Sequence, residues 1–385
     1  MDFQLPDEHR MLQELVAKFV KWDLMPLEES ILQREARGEE VRLTPEEVGP
    51  LNDKCRELGL WGLEVPEDLG GAGLPALAMM GVYEELGKTE VPFTFPPDSP
   101  NLHMLMALSD DEQRQKYLEP YARGETVSAI GISEPGAGGD PSGMVTRAER
   151  DGDEWVLNGR KIWISKADYA DFTIVMAVTS PGKRRDGMSA FIVDNDNPGY
   201  KVSKEIPMAA GKYTYEVLLE DCRVPASHLL GEEGKGFAPM QLRLNIRRLQ
   251  MGAWCIGMAE RALGMMLEYA PQRVTFGVPL SERQAVQFWL ADARTKIHAC
   301  RLMVQQAAWK LDRGEDVRNE ASMVKVFGTE TAAEVIDHAI QTFGAMGVTK
   351  EMPLHLMAQR VRTMRIYEGP SEVHRWTQAR RMLRG

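Results

Sequence analysis

Cysteine is scarce in this sequence: of 385 residues only Cys55, Cys222, Cys255 and Cys300 are cysteines. No two of them have CxxC spacing, and four widely separated thiols indicate neither a zinc site nor a disulfide framework. The sequence also has no HExxH and no GxSxG motif, which excludes the common zinc-protease and serine-hydrolase patterns. We therefore expect no metal site, and we expect buried, reduced thiols in a cytoplasmic protein.

Long apolar runs are also missing. No stretch approaches the roughly 18 apolar residues of a membrane-spanning helix. The acidic N-terminal stretch, residues 1–10, lacks the apolar region of a secretory signal. Cations are outnumbered, with 46 Lys and Arg against 57 Asp and Glu and a formal charge of −11. Because nucleic acids and anionic membranes bind clustered cations, we expect no nucleic-acid partner and no membrane insertion.

The first of three regions, residues 1–125, has apolar side chains every three or four positions, which predicts amphipathic helices. Thr44 followed by Pro45 has the pattern of a helix start, so one helix is expected from there to Leu58. We interpret this region as an N-terminal helical domain. Further helices in it are predicted over residues 74–86 and 111–122.

Residues 126–235 change to short alternating runs separated by turn residues, which predicts β-strands. Asp151-Gly152 is a strong hairpin signal, and Asn158-Gly159 and Asn197–Gly199 are further turn signals. We predict a middle domain built as an antiparallel β-barrel or sandwich. Its predicted strands cover residues 144–150, 155–158, 161–164, 172–178, 188–193 and 215–219.

Residues 236–385 return to helical spacing. The predicted helices cover residues 237–270, 281–312 and 318–346, and lengths near thirty residues are typical of an antiparallel bundle. The fold class predicted for the whole chain is therefore α+β, with a C-terminal domain that resembles a four-helix bundle.

The run from Gly71 to Ala76 matches the spacing GxGxxA. A dinucleotide-binding fingerprint must follow a buried strand and open a βαβ unit. The preceding residues 64–69 do not have the pattern of such a strand, and the following sequence is helical. We interpret the run as a structural loop.

Three other segments could bind a ligand, although each is a weak signal alone. Residues 129–140 leave a strand through small residues that expose backbone N–H groups. The segment Lys161–Ser165 ends a strand with an aromatic side chain and a hydroxyl. The segment Arg273–Gly277 places a cation beside a hydroxyl between helices, which suits a diphosphate.

Together these segments resemble the acyl-CoA dehydrogenase family, in family order and over nearly the whole chain. The motifs are Leu58–Pro66 with Gly70–Leu74, Ser133–Gly138, Trp163–Ser165, Leu230–Phe237, Gln341–Gly344 and Tyr367–Gly369. The run from Glu368 to His374 resembles most closely the branch of long members with a kinase-like domain. No such domain is expected within these 385 residues.

The resemblance implies that the protein oxidises an acyl-CoA thioester to the trans-2-enoyl-CoA and passes the electrons to an electron-transfer flavoprotein. A carboxylate removes the α-proton while the β-hydrogen leaves as hydride to N5 of FAD. Glu368 occupies the family's usual position for this base, and burial is expected to raise its pKa toward the working pH. Some members carry the base on an earlier helix, but the matching residue here is Arg247. His374 lies close to Glu368 in sequence, and a packed or solvated role is expected for it.

The resemblance also implies the binding residues. FAD would be bound by Ile132, Ser133, Trp163, Ser165, Arg273, Thr275, Gln284, Gln341, Gly344, Pro370 and Glu372. The acyl-CoA would be bound by Gly139, Asn245, Arg248, Tyr367, Gly369 and Arg380. Because Arg273 and Gln341 act on the neighbouring subunit's FAD in the family, a homodimer or homotetramer is expected.

Three positions depart from the common family pattern. Gly139 stands where a serine is frequent, Asn245 where many members have aspartate, and Pro370 where threonine is usual. These changes affect ligand contacts and leave the reaction class intact. Two alternatives remain open: an acyl-CoA oxidase or other flavin oxidase or monooxygenase on the same fold, and a non-catalytic flavin-binding paralogue.

Overall fold

A computed structural model of the chain describes residues 5–97 and 100–383. The first four residues of the N-terminal stretch considered above lie outside this part. Within it, no helix combines the length and the apolar character needed to cross a membrane. The four cysteine side chains are buried and not cross-linked.

The N-terminal region is helical, as predicted. Thr44 starts α3 with a reciprocal capping box, in which its hydroxyl accepts from the Glu47 N–H and the Glu47 carboxylate accepts from the Thr44 N–H. Two π-helical segments, Val20–Leu24 and Arg114–Leu118, interrupt the regular helices. The helices are α1 (Asp7–Phe19), α2 (Glu28–Ala36), α3 (Pro45–Glu57), α4 (Ala76–Leu86), α5 (Asn101–Leu108), α6 (Asp111–Gln113) and α7 (Glu119–Ala122).

The Gly-rich run is a loop that leads into α4, as predicted. Residues 64–69 contain no strand, and a Cβ added at Gly71 would lie 2.1 Å from the carbonyl oxygen of Val65. The first N–H groups of α4 are bound by a side chain, because the Asp312 carboxylate accepts from Ala76 at 2.6 Å and from Leu77 at 3.0 Å.

The middle region is an eight-stranded sheet with the order β6-β7-β3-β2-β4-β5-β8, and β1 pairs with β4. The hairpin predicted at Asp151-Gly152 joins β2 to β3, with Asp151 opposite Glu154. The strands are β1 (Ser128–Gly131), β2 (Arg147–Asp151), β3 (Glu154–Ile164), β4 (Phe172–Val178), β5 (Met188–Asp194), β6 (Tyr200–Pro207), β7 (Tyr213–Pro225) and β8 (Leu229–Leu230).

Two predictions for this region were wrong, and one strand was missed. The sheet is not wholly antiparallel, because β1 and β4 are parallel. The strand Tyr200–Pro207 was not predicted, since most of its side chains are exposed and polar. Asn158-Gly159 is not a turn: it lies within β3 at a register shift, and a Cβ at Gly159 would meet Thr146 Oγ1 at 2.3 Å. Glycine is needed there for close packing.

The C-terminal region consists of long helices close to their predicted bounds, plus a short hairpin. The helices are α8 (Phe237–Tyr269), α9 (Gln284–Asp312), α10 (Arg318–Phe343), α11 (Pro353–Met364) and α12 (Ser371–Met382), and β9 (Val274–Thr275) pairs with β10 (Val278–Pro279). The buried side chains of α8, α9 and α10 form one apolar core with those of α1 and α4, including Phe19, Val82, Leu249 and Ile336. A second core lies between α5, the segment around Tyr121 and the sheet. The site described next lies where α8, α10 and the α11–α12 connection meet.

Candidate active site

Glu368 lies in the short connection between α11 and α12. Its backbone is left-handed, with φ = 56°, which is costly for a residue with a side chain. Two side chains hold the turn: the Glu368 carbonyl oxygen accepts from Arg248 Nε at 3.0 Å and lies 3.1 Å from His374 Nε2. The position of Glu368 is thus fixed through its backbone.

The next residue, Gly369, has to be glycine. Its φ is 95°, and a Cβ added there would lie 2.9 Å from His374 Nε2. The Gly369 carbonyl oxygen accepts from Nζ of Lys325, a fully buried lysine in the interior of α10. Burial, followed by the charge of Arg248, lowers the pKa of Lys325 to about 8. The turn is therefore held from both α8 and α10.

The Glu368 carboxylate forms a largely buried ion pair with Arg243. Arg243 Nη1 donates to Glu368 Oε1 at 2.8 Å, and the two side chains are 8% and 14% exposed. Arg243 Nε also donates to Asn101 Oδ1 at 3.1 Å. Burial would raise the pKa of Glu368, but the charge and hydrogen bond of Arg243, with the charges of Arg247 and Arg248, lower it. The expectation that burial raises the pKa of Glu368 above its ordinary value was therefore wrong.

Arg247 lies close enough to Glu368 to lower its pKa. Its Nη1 donates to Gln250 Oε1 at 3.1 Å, and its guanidinium lies 4.4 Å from the centre of the Trp254 ring. The position that carries the base in some family members therefore holds an immobilised cation. Arg248 Nη1 donates to Asn245 Oδ1 at 3.0 Å, so two predicted acyl-CoA residues contact each other.

The loop that contains Ile132 and Ser133 is fixed to β3. Ile162 N–H donates to the Ser133 carbonyl oxygen at 3.0 Å, and Lys161 Nζ lies 3.3 Å from the Ile132 carbonyl oxygen. Below the loop, Lys161 forms an ion pair with Glu134 at 2.8 Å, and these side chains are 1% and 2% exposed. The loop is therefore a rigid edge beside a strand end.

The second predicted flavin segment, at the end of β3, presents an aromatic face. Trp163 is 50% exposed and its backbone is left-handed, with φ = 63°. Ser165, two residues later, is exposed. Lys166 follows, and its pKa is lowered to about 7 by burial and by the charges of Arg247 and Arg243. The segment therefore lies near the cations around Glu368.

Gly139 and Pro370, two of the departures from the family pattern, lie side by side. A Cβ at Gly139 would be 3.5 Å from Pro370 Cδ and 3.3 Å from Val373 Cγ2. A larger residue at 139 would press on the start of α12. This contact also joins the first flavin loop to the Glu368 turn.

The remaining predicted site residues are mostly exposed. Arg273 and Thr275 lie on the β9–β10 hairpin, whose tip residue Phe276 is 99% exposed. Arg283 Nη2 donates to the Thr275 carbonyl oxygen at 2.6 Å and so supports the hairpin. Gln284, Gln341, Gly344, Glu372 and Arg380 are exposed as well, and Tyr367 is partly buried beside the helical core. The structure thus divides the predicted set between a group around Glu368 and an outward-facing group.

Both groups contain features that suit FAD. The half-exposed Trp163 offers a face for packing against a ring system, and the exposed cation of Arg273 beside the Thr275 hydroxyl suits an anionic diphosphate. The helix N-terminus at Ala76 is not available for that role because Asp312 occupies it.

Family models for the N-terminal, middle and C-terminal domains of acyl-CoA dehydrogenase match residues 6–125, 129–222 and 234–383. The chain belongs to the acyl-CoA dehydrogenase family. The (R)-benzylsuccinyl-CoA dehydrogenase of Thauera aromatica is 43% identical over 396 residues, which cover 100% of this chain and 97% of that protein. The predicted fold class is confirmed. The prediction that the protein is an acyl-CoA dehydrogenase-type oxidoreductase is confirmed as well.

Two similar solved structures extend the comparison. One, described as the electron transferring flavoprotein of Acidaminococcus fermentans, is 34% identical with a TM-score of 0.88 and full coverage of both chains. The other, the FAD complex of PigA, is 28% identical with a TM-score of 0.90, again over 100% of each chain. Membership of this flavoprotein family confirms FAD as the predicted cofactor.

Sequence reasoning missed two cations that support the site, Arg243 and Lys325. Arg243 could have been found, because it lies four residues before Arg247 and so shares its helix face. Lys325 gave no signal, since a lysine within a long helix is normally solvated. His374 is buried, as the packed alternative predicted, and its contact with the Glu368 carbonyl makes it a support of the turn.

Proposed function

We propose that the chain catalyses the α,β-dehydrogenation of an acyl-CoA thioester to the trans-2-enoyl-CoA, with Glu368 as the base that removes the α-proton. The observation that carries the proposal is a carboxylate only 14% exposed, on a turn whose backbone is held by Arg248 and His374. A base held in this way can meet the α-carbon without reorganising the chain. FAD supplies the oxidising power by accepting the β-hydrogen as hydride.

The roles proposed for the other residues follow their positions. Ile132, Ser133, Trp163 and Ser165 would contact the flavin from the fixed loop and strand end. Gly139, Asn245, Arg248, Tyr367 and Gly369 would line the acyl-CoA path around the base, with Arg380 toward the CoA end. Five residues of the outward-facing group would bind the FAD of a second copy, so the active protein would be a homodimer or homotetramer. These are Arg273, Thr275, Gln284, Gln341 and Gly344. Pro370 and Glu372 would contact FAD from the start of α12.

We further propose an electron-transfer flavoprotein as the electron acceptor. The similarity to the Acidaminococcus fermentans structure supports this assignment. The run Glu368–His374 resembles the branch of the family whose members have a kinase-like domain. That the chain is related most closely to this branch remains a prediction.

The proposal is tested by replacing Glu368 with glutamine. The Glu368→Gln holoenzyme should retain FAD and bind acyl-CoA, whereas the anaerobic bleaching of its flavin by substrate should slow by about 10²–10⁴-fold. Glu334→Gln is the matched control, because Glu334 forms a surface ion pair with Lys296 on α9. The substrate panel should include straight-chain, branched and aromatic acyl-CoAs and benzylsuccinyl-CoA. Near-normal bleaching by Glu368→Gln would reject the assignment of the base.

Two measurements address the alternatives. Rapid reoxidation of the substrate-reduced protein by air, with release of peroxide, would identify an oxidase. A purified protein that binds FAD, but whose flavin is not reduced by any acyl-CoA in the panel, would identify a non-catalytic flavin-binding paralogue.

A further inference from the structure

The turn that carries Glu368 is not held by backbone hydrogen bonds alone. The N–H groups of the flanking residues Tyr367 and Ser371 donate to carbonyl oxygens at the C-terminal end of α11, both at 3.2 Å. Between them, in the part of the chain that the structure describes, no backbone N–H donates to the carbonyl oxygen of Glu368 or of Gly369. Side chains bind these two carbonyl groups instead.

The backbone of the turn is also unfavourable. Glu368 has φ = 56° although it carries a side chain, and Gly369 has φ = 95°. Such a conformation persists only where the surrounding structure determines it. Because Pro370 has no N–H, the carbonyl is the one hydrogen-bonding group of the Gly369–Pro370 peptide, and glycine itself resists a change of its torsions only weakly. Whatever binds this carbonyl therefore fixes the backbone directly after the proposed base.

Helix α10 binds both carbonyl groups of the turn. Lys325 Nζ donates to the Gly369 carbonyl oxygen. Three residues earlier on the same face of α10, Ser322 Oγ lies 3.1 Å from His374 Nδ1. His374 Nε2 in turn lies 3.1 Å from the Glu368 carbonyl oxygen, and it must carry a hydrogen because a carbonyl oxygen can only accept. A helix that does not contain the proposed base thus holds its turn, once directly and once through His374.

Lys325 and Lys161 are both fully buried lysines, but they bind different groups. Lys161 forms an ion pair with the Glu134 carboxylate, whereas the acceptor of Lys325 is a neutral carbonyl oxygen. Within the described ranges, Lys325 forms no ion pair. Burying an ammonium group is costly, and a charged donor binds a carbonyl oxygen more strongly than a neutral donor does. The lysine therefore gives the turn a stronger hold than an uncharged side chain of the same length would.

We propose that Lys325 is a positioning residue of the dehydrogenation, which holds the Gly369 carbonyl oxygen and so aims the Glu368 carboxylate at the α-carbon of the substrate. This inference rests on the role proposed above for Glu368 as the base. Lys325 takes no part in the transfer of the proton or the hydride. A displacement of about 1 Å between reacting groups can cost about 10²-fold in rate. Loss of the contact should therefore slow proton removal and leave the affinity for acyl-CoA nearly unchanged.

The test separates proton removal from oxidation in the holoenzyme. The probes are (methylthio)acetyl-CoA and (benzylthio)acetyl-CoA, which carry sulfur at the β-position and so can lose an α-proton but have no β-hydrogen to give. Mass spectrometry measures the exchange of the α-hydrogens with D₂O, and calorimetric titration measures the affinity for the same probe. In Lys325→Met the exchange should slow by about 10²-fold, with an affinity within about 3-fold of the wild type. Lys325→Arg keeps a cationic donor and should retain more of the exchange rate than Lys325→Met does.

Two further variants complete the comparison. Lys296→Met is the matched control, because Lys296 forms an ion pair with Glu334 at the surface, and it should keep both the exchange rate and the affinity. If Lys325→Met does not give a folded holoenzyme with bound FAD, Lys325→Gln takes its place. Glutamine is polar but one atom shorter than lysine, so its amide should fall short of the Gly369 carbonyl oxygen, and the same selective loss of exchange is expected.

Exchange at the wild-type rate in Lys325→Met would overturn the positioning role. Equal losses of rate and affinity would overturn it as well, because they indicate a general disturbance of the site. Failure here is distinguishable from failure of the proposed function. If Glu368→Gln abolishes exchange and Lys325→Met retains it, only the role of Lys325 is rejected. Exchange that persists in Glu368→Gln, or that the wild type shows with neither probe, rejects Glu368 as the base.

Discussion

Arg243 Nη1 lies 2.8 Å from Glu368 Oε1, so the proposed base is paired with a largely buried cation. This pairing lowers the pKa of Glu368 against the opposing effect of burial. Removing the cation leaves burial as the main influence, and the pKa of Glu368 should rise.

The acid limb of the pH profile should therefore move to higher pH in Arg243→Met. The measurement is the rate of anaerobic flavin reduction by a neutral acyl-CoA as a function of pH, with Arg294→Met as control. Glu368 must be ionised to accept the α-proton, so activity falls as the pH drops through its pKa. In Arg243→Met this fall should begin at a higher pH. An unchanged acid limb would show that Arg243 does not set the charge state of the base.

The buried pair of Lys161 and Glu134 supports the first flavin loop. Lys161→Met should lower the free energy of unfolding by about 3–5 kcal/mol, because it leaves the Glu134 carboxylate buried without its cation. Glu134→Gln/Lys161→Met should be less destabilised, since glutamine is neutral and its one carbonyl oxygen can still accept from one of the two N–H groups, of Val145 and Thr146, that bind the Glu134 carboxylate. Urea unfolding of the holoenzyme measures both. Lys201→Met, at an exposed pair, should cost no more than about 1 kcal/mol, and an equally small loss in Lys161→Met would contradict the argument.

Gly139 and Pro370 should behave as a coupled pair. A serine at 139 places atoms against the Pro370 ring and 3.3 Å from Val373 Cγ2, which should cost up to about 1 kcal/mol because Gly139 is exposed and its neighbours can shift. Gly139→Ser/Pro370→Thr restores the pattern common in the family and should recover part of that loss. A double-mutant cycle on unfolding free energy measures the coupling. Strict additivity would mean that the two departures are independent.

His374 should make the fold sensitive to acid. Its pKa is lowered from 6.5 to about 3, mainly by burial and then by the charges of Arg248 and Lys325. Between these values the unfolded chain binds a proton that the folded chain does not, so stability falls as pH decreases below 6.5, by roughly 1.4 kcal/mol per unit. Between pH 6.5 and about pH 5, the wild type should lose roughly 2 kcal/mol more unfolding free energy than His374→Gln. Parallel pH dependences in the two proteins would refute this.

The β9–β10 hairpin is expected to lie in the interface between two copies of the chain. Phe276 at its tip is 99% exposed. It directly follows Thr275, one of the residues proposed to bind the FAD of a second copy. Phe276→Asp should reduce the molar mass measured by light scattering and the FAD content of the purified protein. Met11→Asp, at an exposed position of α1, should change neither. Unchanged mass and flavin content in Phe276→Asp would exclude the hairpin from the interface.

The features that the sequence predicted best depend on local chemistry. The helix start at Thr44 and the hairpin at Asp151-Gly152 form because residues close in sequence bind the backbone N–H and C=O groups there. The strand Tyr200–Pro207 could not be predicted, because its exposed and mostly polar side chains follow no apolar alternation, although its partner β7 is the next strand along the chain. The parallel pairing of β1 with β4, by contrast, depends on contacts between distant segments.

The same distinction holds for the site. Glu368 could be named from a motif of three residues, but its charge state could not, because the controlling cation lies 125 positions earlier on α8. The role of Lys325 depends on where α10 passes the Gly369 carbonyl. The shared contact of Gly139 and Pro370 also required the fold, since the sequence presented them as separate substitutions.

The Asp312 carboxylate at the start of α4 has a consequence for how the protein is made. It comes from the last residue of α9, and the side chains of α4 share one core with α8 and α10. While the ribosome is still producing the middle domain, the first helices have neither this cap nor that core. Apolar surface of the nascent N-terminal region therefore stays exposed until the C-terminal helices emerge from the ribosome. We expect chaperones to bind the nascent chain during this interval.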